Sequence, residues 1–288
     1  MCIESEFSLM VIMLDGKATA QTLKEELKVR IKKLERKPTL SIICVGNDPA
    51  SVIYAKNQAK ACKEIGIDAK IHTFDKISDL KLVEFISNEL KDEDAIIVEL
   101  PLPDEMNTEK ILEAIRPDQD VDGLHYVNVG RRLFDYEDVF YPCTPLGCLE
   151  ILDRYNIEIE GKHAVVVGRS HLVGRPLATM LEKRNATVTQ CHSHSKPLSK
   201  YTLLADILIT AIGKAKLIKA DMIKKGVIVI DVGMNRDKNG KLCGDVDFEN
   251  VKEKCSFITP VPGGIGPMTV AELLANTVLA SERKKRKK

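Results

Sequence analysis

The residues best able to do chemistry fall in a few short segments. Val165-Val-Val-Gly168-Arg169-Ser170-His-Leu-Val-Gly174-Arg-Pro sets a glycine-bearing turn between a strand-like run and a helix-like one. Glycine lets backbone approach a pyrophosphate, and the free N–H groups at the following helix start attract the anion. Only Gly168 and Gly174 are present, so the spacing departs from G-x-G-x-x-G, and a tight structural turn is the competing reading. The next strand ends Thr189-Gln-Cys-His-Ser193-His, with no carboxylate to bond a ribose hydroxyl. A phosphate on that ribose would meet the Ser193 hydroxyl, the histidines and the planar guanidinium of Arg169, so NADP is expected rather than NAD. The plain alternative for Arg169 is a solvated loop cation.

A second group lies upstream. On a helical wheel of about 100° per residue, Lys56, Asn57, Lys60, Lys63 and Glu64 form a polar arc. Val52, Ala55, Ala59, Ala61, Cys62 and Ile65 form an apolar one. Tyr54 and Gln58 sit inside the apolar arc, one turn apart and facing the same way. A buried phenol and amide need hydrogen-bond partners, either behind a sheet or in a cleft. Val98-Glu99-Leu100-Pro-Leu-Pro103 ends a strand with an acid, where open α/β sheets place ligands. Asp120-Val-Asp122-Gly puts carboxylates beside a turn glycine, a motif that alone usually marks just a turn. Ile258-Thr-Pro-Val-Pro262-Gly263-Gly-Ile-Gly266-Pro-Met-Thr269 has little freedom for a loop and suggests a shaped wall against a ligand.

These segments need a scaffold, and the pattern supplies one. Strand-length apolar runs (40–45, 69–74, 95–98) alternate with helix-period stretches (17–35, from Asp48-Pro49, 78–91, 107–116). The rhythm loosens through Phe140, a helix follows over 144–155, and a second unit starts at Gly161. It contains strands 163–167, 187–190, 206–211 and 227–232, a helix over 174–184 and a closing helix over 267–283. Such alternation predicts α/β domains, each a mostly parallel sheet with helices on both faces. The expected division is residues 1–145 with the closing helix 267–288, and 146–266 as a Rossmann-like domain.

Composition agrees with a globular protein. The 288 residues are 44% apolar and 30% charged, which excludes disorder and fibrous repeats for most of the chain. A net charge of +1 gives no basic field that would demand nucleic acid, although Arg283 to Lys288 is an unbroken cationic run, read as a solvated helix end. Eight cysteines without a C-x-x-C match neither a zinc ribbon nor a disulfide framework, so no metal is expected and the thiols read as reduced. Leu9 to Leu14 is a poor signal segment, and no apolar stretch reaches membrane-spanning length, so a cytoplasmic location is expected.

Ser51-x-x-Tyr54, Leu100-Pro-Leu, Asp120-Val-Asp-Gly, Cys143-Thr-Pro, Val167-Gly-Arg-Ser-x-x-Val-Gly-x-Pro, Cys191-His-Ser and Thr259-Pro-Val-Pro-Gly-Gly-Ile-Gly-Pro-Met-Thr occur in this order. Together they resemble the bifunctional methylenetetrahydrofolate dehydrogenase/methenyltetrahydrofolate cyclohydrolase family over about residues 14–282. The resemblance implies two domains around a cleft, a folate substrate against the first, NADP on the second, and a homodimer. It implies Tyr54 stacking on folate, Asp122 holding the pterin, and Val98, Leu100, Pro262, Gly263 and Gly266 at the substrate. Gly168, Arg169, Ser170, Ser193, Met234 and Thr269 would serve the cofactor. Two positions depart from the family pattern. Its catalytic lysine, four residues after the tyrosine, is here Gln58, and its glutamine before Leu-Pro-Leu is here Glu99. Dehydrogenation needs no protein proton transfer and is expected to survive, whereas hydrolysis of the methenyl bridge does need one and is in question. The competing readings are a dehydrogenase for another small substrate and a folate- or NADP-binding protein without chemistry.

Overall fold

Runs of branched apolar residues become strands and the amphipathic stretches between them become helices in a computed structural model that describes residues 11–286. The first half runs β1 (Ile12–Met13), α1 (Gly16–Ile31), β2 (Thr39–Val45), α2 (Pro49–Ile65), β3 (Asp68–Phe74), α3 (Asp79–Glu84), β4 (Ala95–Val98), α4 (Thr108–Ala114), α5 (Tyr126–Leu133) and α6 (Cys143–Arg154). The second runs β5 (His163–Val167), α7 (Gly174–Lys183), β6 (Thr187–Cys191), α8 (Ser199–Thr202), β7 (Ile207–Thr210), β8 (Val227–Asp231), β9 (Asn235–Arg236), β10 (Leu242–Cys243), α9 (Phe248–Val251), β11 (Cys255–Ile258) and α10 (Ile265–Arg286).

The chain forms two units. One holds the residues through Thr19 together with Gly147–Met268, and the other holds Ala20–Leu146 and the residues from Thr269 onward. The start of the chain was expected in the unit with β2 to β4. It joins the other instead, because Ile12 and Met13 pair in parallel with Phe257 and Ile258, and the Leu14 N–H donates to the Ile258 carbonyl at 2.9 Å. A two-residue strand leaves no alternating pattern to read.

The nucleotide-type unit has a six-stranded parallel sheet in the order β1-β11-β8-β7-β5-β6. Its core gathers Val165, Val167, Leu208, Val227, Val229 and Ile258. Sheets covered on both faces use such continuous apolar runs. The other unit has the three-stranded parallel sheet β3-β2-β4, which the bridge between Ile96 and Asp120 extends.

Helix α2 carries the polar pair of the candidate site and is firmly bounded. Asp48 caps it, accepting from the Ser51 N–H at 2.9 Å and the Ser51 hydroxyl at 2.7 Å, with Pro49 in the first turn. Gly66, at φ +95°, ends it in the left-handed conformation. Replacing Asp48→Ala should cost about 1 kcal/mol of stability, read as a lower denaturation midpoint. An unchanged midpoint would show that the cap is redundant.

Four expectations change. The stretch that loosens before Phe140 contains α5, capped by His125, whose Nδ1 accepts from the Val127 N–H at 3.0 Å. Histidine is not a usual cap, so its start carried no signal. The helix expected over 78–91 stops at Glu84 and continues as a π-helical turn, Phe85–Glu89. Ile258 closes strand β11 rather than opening a loop. The basic run is not simply solvated: Arg283 pairs with Asp138 at 2.8 Å and lies over the Phe140 ring, while Lys284 donates to the Asp92 carbonyl at 2.6 Å. Its last two residues, like Leu9 and Met10 of the apolar start, lie outside the described residues. Among the described residues no helix is long and apolar enough to cross a membrane.

Candidate active site

Alternation along β4 decides which side chains meet, because successive strand residues point to opposite faces. Ile96 and Val98 join Ile43, Leu82 and Ile86 in one core. Glu99 continues the ladder, its N–H donating to the Ile43 carbonyl at 2.9 Å, and turns to the other face. There Gln58, buried on α2, hydrogen-bonds the Glu99 carboxylate and the Tyr54 hydroxyl through its amide. Gln58 Oε1 and Glu99 Oε1 are buried without a hydrogen-bond partner. Lys56 and Lys60 are exposed, as the wheel requires. Val98, expected at the substrate, has its side chain in the core, while Leu100 packs partly buried at the edge of the same cluster.

The two acids of Asp120-Val-Asp122-Gly divide their work. Asp120 is buried and accepts from the N–H groups of Leu124 (3.2 Å) and His125 (2.9 Å) and from Asn128 Nδ2 (2.7 Å), so it builds the turn. Gly123 is required beside it: at φ +63°, an added Cβ would lie 2.6 Å from the Phe140 carbonyl. Asp122 is half-buried and accepts a long bond from the Cys143 N–H at 3.4 Å.

Electrostatics tie these groups together. Burial raises the Glu99 carboxyl to about 7, opposed by the Gln58 bond and reinforced by Asp122. Burial, then the charge on Asp120, raises Asp122 to about 6. The Tyr54 phenol is driven up by burial and then by Cys143, Glu99 and Asp122. Among the described residues no cation is among the groups acting on these three. Such surroundings favour positive charge on a bound molecule and leave two acceptor oxygens in want of donors.

In the other unit, β5 passes through a tight turn into α7. Gly168 has φ +138°, and a Cβ there would lie 2.3 Å from the Ala211 carbonyl; one on Gly174 would lie 2.3 Å from the Gly168 carbonyl. The Ser170 hydroxyl accepts from the N–H groups of Val173 (3.2 Å) and Gly174 (3.4 Å). Arg169, Ser170, Ser193 and Met234 are exposed. No acid follows β6; Gln190 there donates to the Gly168 carbonyl at 3.2 Å. β5 lies between β6 and β7, so this turn is at the switch point where open α/β sheets take nucleotides. These residues fit a dinucleotide whose ribose carries a phosphate.

Within the Pro-Gly segment, Pro262 and Gly266 are exposed and Gly263 has φ +103°. Gly264 has a packing duty, since a Cβ on Gly16 would lie 1.8 Å from its carbonyl. The sequence-predicted residues thus divide. Tyr54, Gln58, Val98, Glu99, Leu100, Asp122 and Thr269 belong to one unit; Gly168, Arg169, Ser170, Ser193, Met234, Pro262, Gly263 and Gly266 belong to the other. Thr269, expected at the cofactor, pairs its hydroxyl with that of Thr144 at 3.0 Å.

Two family models account for most of the chain: "Tetrahydrofolate dehydrogenase/cyclohydrolase, catalytic domain" matches residues 14–122, and its "NAD(P)-binding domain" matches 142–285. The chain belongs to the tetrahydrofolate dehydrogenase/cyclohydrolase family. Among its relatives, the bifunctional protein FolD of Campylobacter hominis is 50% identical over 278 residues, spanning 94% of this chain and 98% of that one. The crystal structure of the bifunctional FolD of Campylobacter jejuni is 48% identical, covering 95% of this chain and 99% of its own, with a TM-score of 0.93. That of Trypanosoma brucei FolD, complexed with NADP cofactor and inhibitor, is 34% identical at TM-score 0.90, covering 96% and 99%.

Two neighbours of the site, Glu272 and Asn276, lie outside the segments singled out in the sequence. Asn276 Nδ2 donates to the carbonyls of Val121 (2.7 Å) and Tyr141 (3.0 Å) and so fixes the backbone just before Asp122 and just before Cys143. Glu272 is buried near enough to Cys143 to raise its thiol further. The signal existed. Thr269, Glu272 and Asn276 are polar residues at helical spacing among the apolar residues of the first half of α10, the same anomaly that marks Tyr54 and Gln58.

Proposed function

We propose that the chain is an NADP-dependent methylenetetrahydrofolate dehydrogenase of one-carbon metabolism in which methenyltetrahydrofolate cyclohydrolase activity is weak or lost. One observation carries the reading: Gln58 stands buried against Glu99 and Tyr54, with no cation of the described residues acting on the group. A pterin offers the N–H donors that the orphaned oxygens of Gln58 and Glu99 need. In this reading Tyr54 stacks on the folate and Asp122 holds its pterin. Gly168, Arg169, Ser170 and Ser193 hold NADP, with Met234 beside it and Pro262, Gly263 and Gly266 toward the substrate.

NADP, when bound, supplies the acceptor for the hydride that leaves the methylene bridge. The products are NADPH and a methenyl cation, and no proton passes through the protein. Glu99 and Asp122 stabilise that developing positive charge electrostatically, the largest kind of contribution a fixed site makes. Hydrolysis is a different demand. Water must add and protons must reach the ring nitrogens, and Gln58 can neither give nor take one.

The test is to supply methylenetetrahydrofolate with NADP or with NAD and to follow reduced nicotinamide and methenyl product separately. NADPH and methenylfolate should rise one for one, with methenylfolate decaying no faster than in buffer. Absence of NADPH formation would refute the dehydrogenase; protein-accelerated methenyl decay would refute the loss of hydrolysis. The proposal extends to a cytoplasmic homodimer. The seven cysteines of the described residues are buried and free, as a reducing compartment allows, and sedimentation would report the dimer directly.

A further inference from the structure

Two acids of the nucleotide-type unit have no part in the chemistry above, yet they are among its most buried polar groups: Asp231 and Asp245 are 3% and 0% exposed. Each is saturated with donors. Asp231 accepts from the N–H groups of Gly233 (2.9 Å), Asp245 (3.0 Å) and Val246 (2.9 Å) and from the Thr210 hydroxyl (3.2 Å). Asp245 accepts from three consecutive N–H groups, Ile212 (2.7 Å), Gly213 (3.3 Å) and Lys214 (2.9 Å), and from Asn235 Nδ2 (2.9 Å). Glycines make room for both carboxylates: a Cβ on Gly233 would lie 2.4 Å from Asp245 Oδ1, and one on Gly244 would lie 1.9 Å from Asp231 Oδ2.

What the pair holds is informative. Residues 211–214 leave the C-terminal end of β7, and 233–235 leave that of β8. The first segment borders the switch point itself, since the Ala211 N–H donates to the Val167 carbonyl at 2.8 Å beside Gly168. Gly213, Lys214 and Met234 are exposed there. We infer that Asp245, seated by Asp231, is a positioning residue that clamps the loop after β7 to the loop after β8 and so shapes the dinucleotide site before its ligand arrives. The inference rests on the reading that this unit holds NADP. A loop with three successive N–H groups committed to one carboxylate has a single conformation, which lowers the ordering cost of binding. Asparagine cannot replace the acid, because its NH₂ group would face donors that one carboxylate oxygen accepts.

The experiment uses the full chain with Asp245→Asn, and with Asn235→Ala as a milder variant that keeps the acid. Amide exchange without NADP should quicken at Ile212, Gly213 and Lys214 while the β5 amides stay protected. KM for NADP should rise about 10-fold for Asp245→Asn and less for Asn235→Ala, with kcat at saturating NADP and KM for the folate retained, the pattern of lost binding alone. Unchanged exchange at 212–214, or a fall in kcat at unchanged KM for NADP, would overturn the clamp. Should Asp245→Asn not fold, Asn235→Ala decides by the same readouts. If the parent protein fails to bind NADP, the functional reading falls, and the exchange result still judges the clamp.

Discussion

Combining Gln58→Lys with Glu99→Gln is expected to raise protein-dependent hydrolysis of methenyltetrahydrofolate by about 10²-fold or more, the usual worth of one placed acid–base group. The geometry favours the pair over either change alone. Gln58 and Glu99 are already in hydrogen-bonding contact beside Tyr54. A lysine at 58 with Glu99 intact would form a buried ion pair, which holds the ammonium charged and unable to take a proton. Next to a neutral amide, desolvation lowers the lysine into a range where it can both accept and return one. The measurement is loss of the methenyl chromophore against protein concentration. A double variant that binds folate and still hydrolyses no faster than buffer would show that more than these two residues was lost.

Glu99→Gln alone should stabilise the protein at alkaline pH. The Glu99 carboxyl lies near 7 in the fold against 4.5 for the free side chain. The folded state therefore holds this proton more tightly than the unfolded chain does. Its favourable contribution is complete below about 4.5 and is lost as pH climbs through 7. Above that, the buried anion costs on the order of 3 kcal/mol, which an amide does not incur. Denaturant midpoints of the two proteins should nearly coincide near pH 4 and separate by pH 8, with the variant the more stable. A gap independent of pH would mean that the carboxyl titrates normally. The site thus carries an acid that stability alone would not select, as functional groups often do.

Much of this was legible in the chain. Strands 95–98 and 163–167 have the boundaries read from their apolar runs, because a strand buried on both faces writes its whole length in one residue class. Tyr54 and Gln58 stood out as polar residues within an apolar arc, and burial of Gln58 accords with that. Other features depended on distant partners. Asp120 and Asp122 are indistinguishable in sequence; only the N–H groups of Leu124 and His125 separate the turn-builder from the acid left for chemistry. Strands β1 and β11 are short and stabilise one another across most of the chain's length, so neither has a local signature. Asp245 is 33 residues from its Ile212 partner, and no spacing rule connects them.

The pairing of Ile12 and Met13 with β11 also bears on how this protein can be cut. Those two residues form one margin of the parallel sheet, and β11 lies directly behind them. Removing the chain through Met13 would lay bare the N–H and C=O groups along Phe257 and Ile258, a template on which a strand from another molecule can add. Shortened versions that begin beyond this point should form assemblies larger than a dimer, while those that keep it should not.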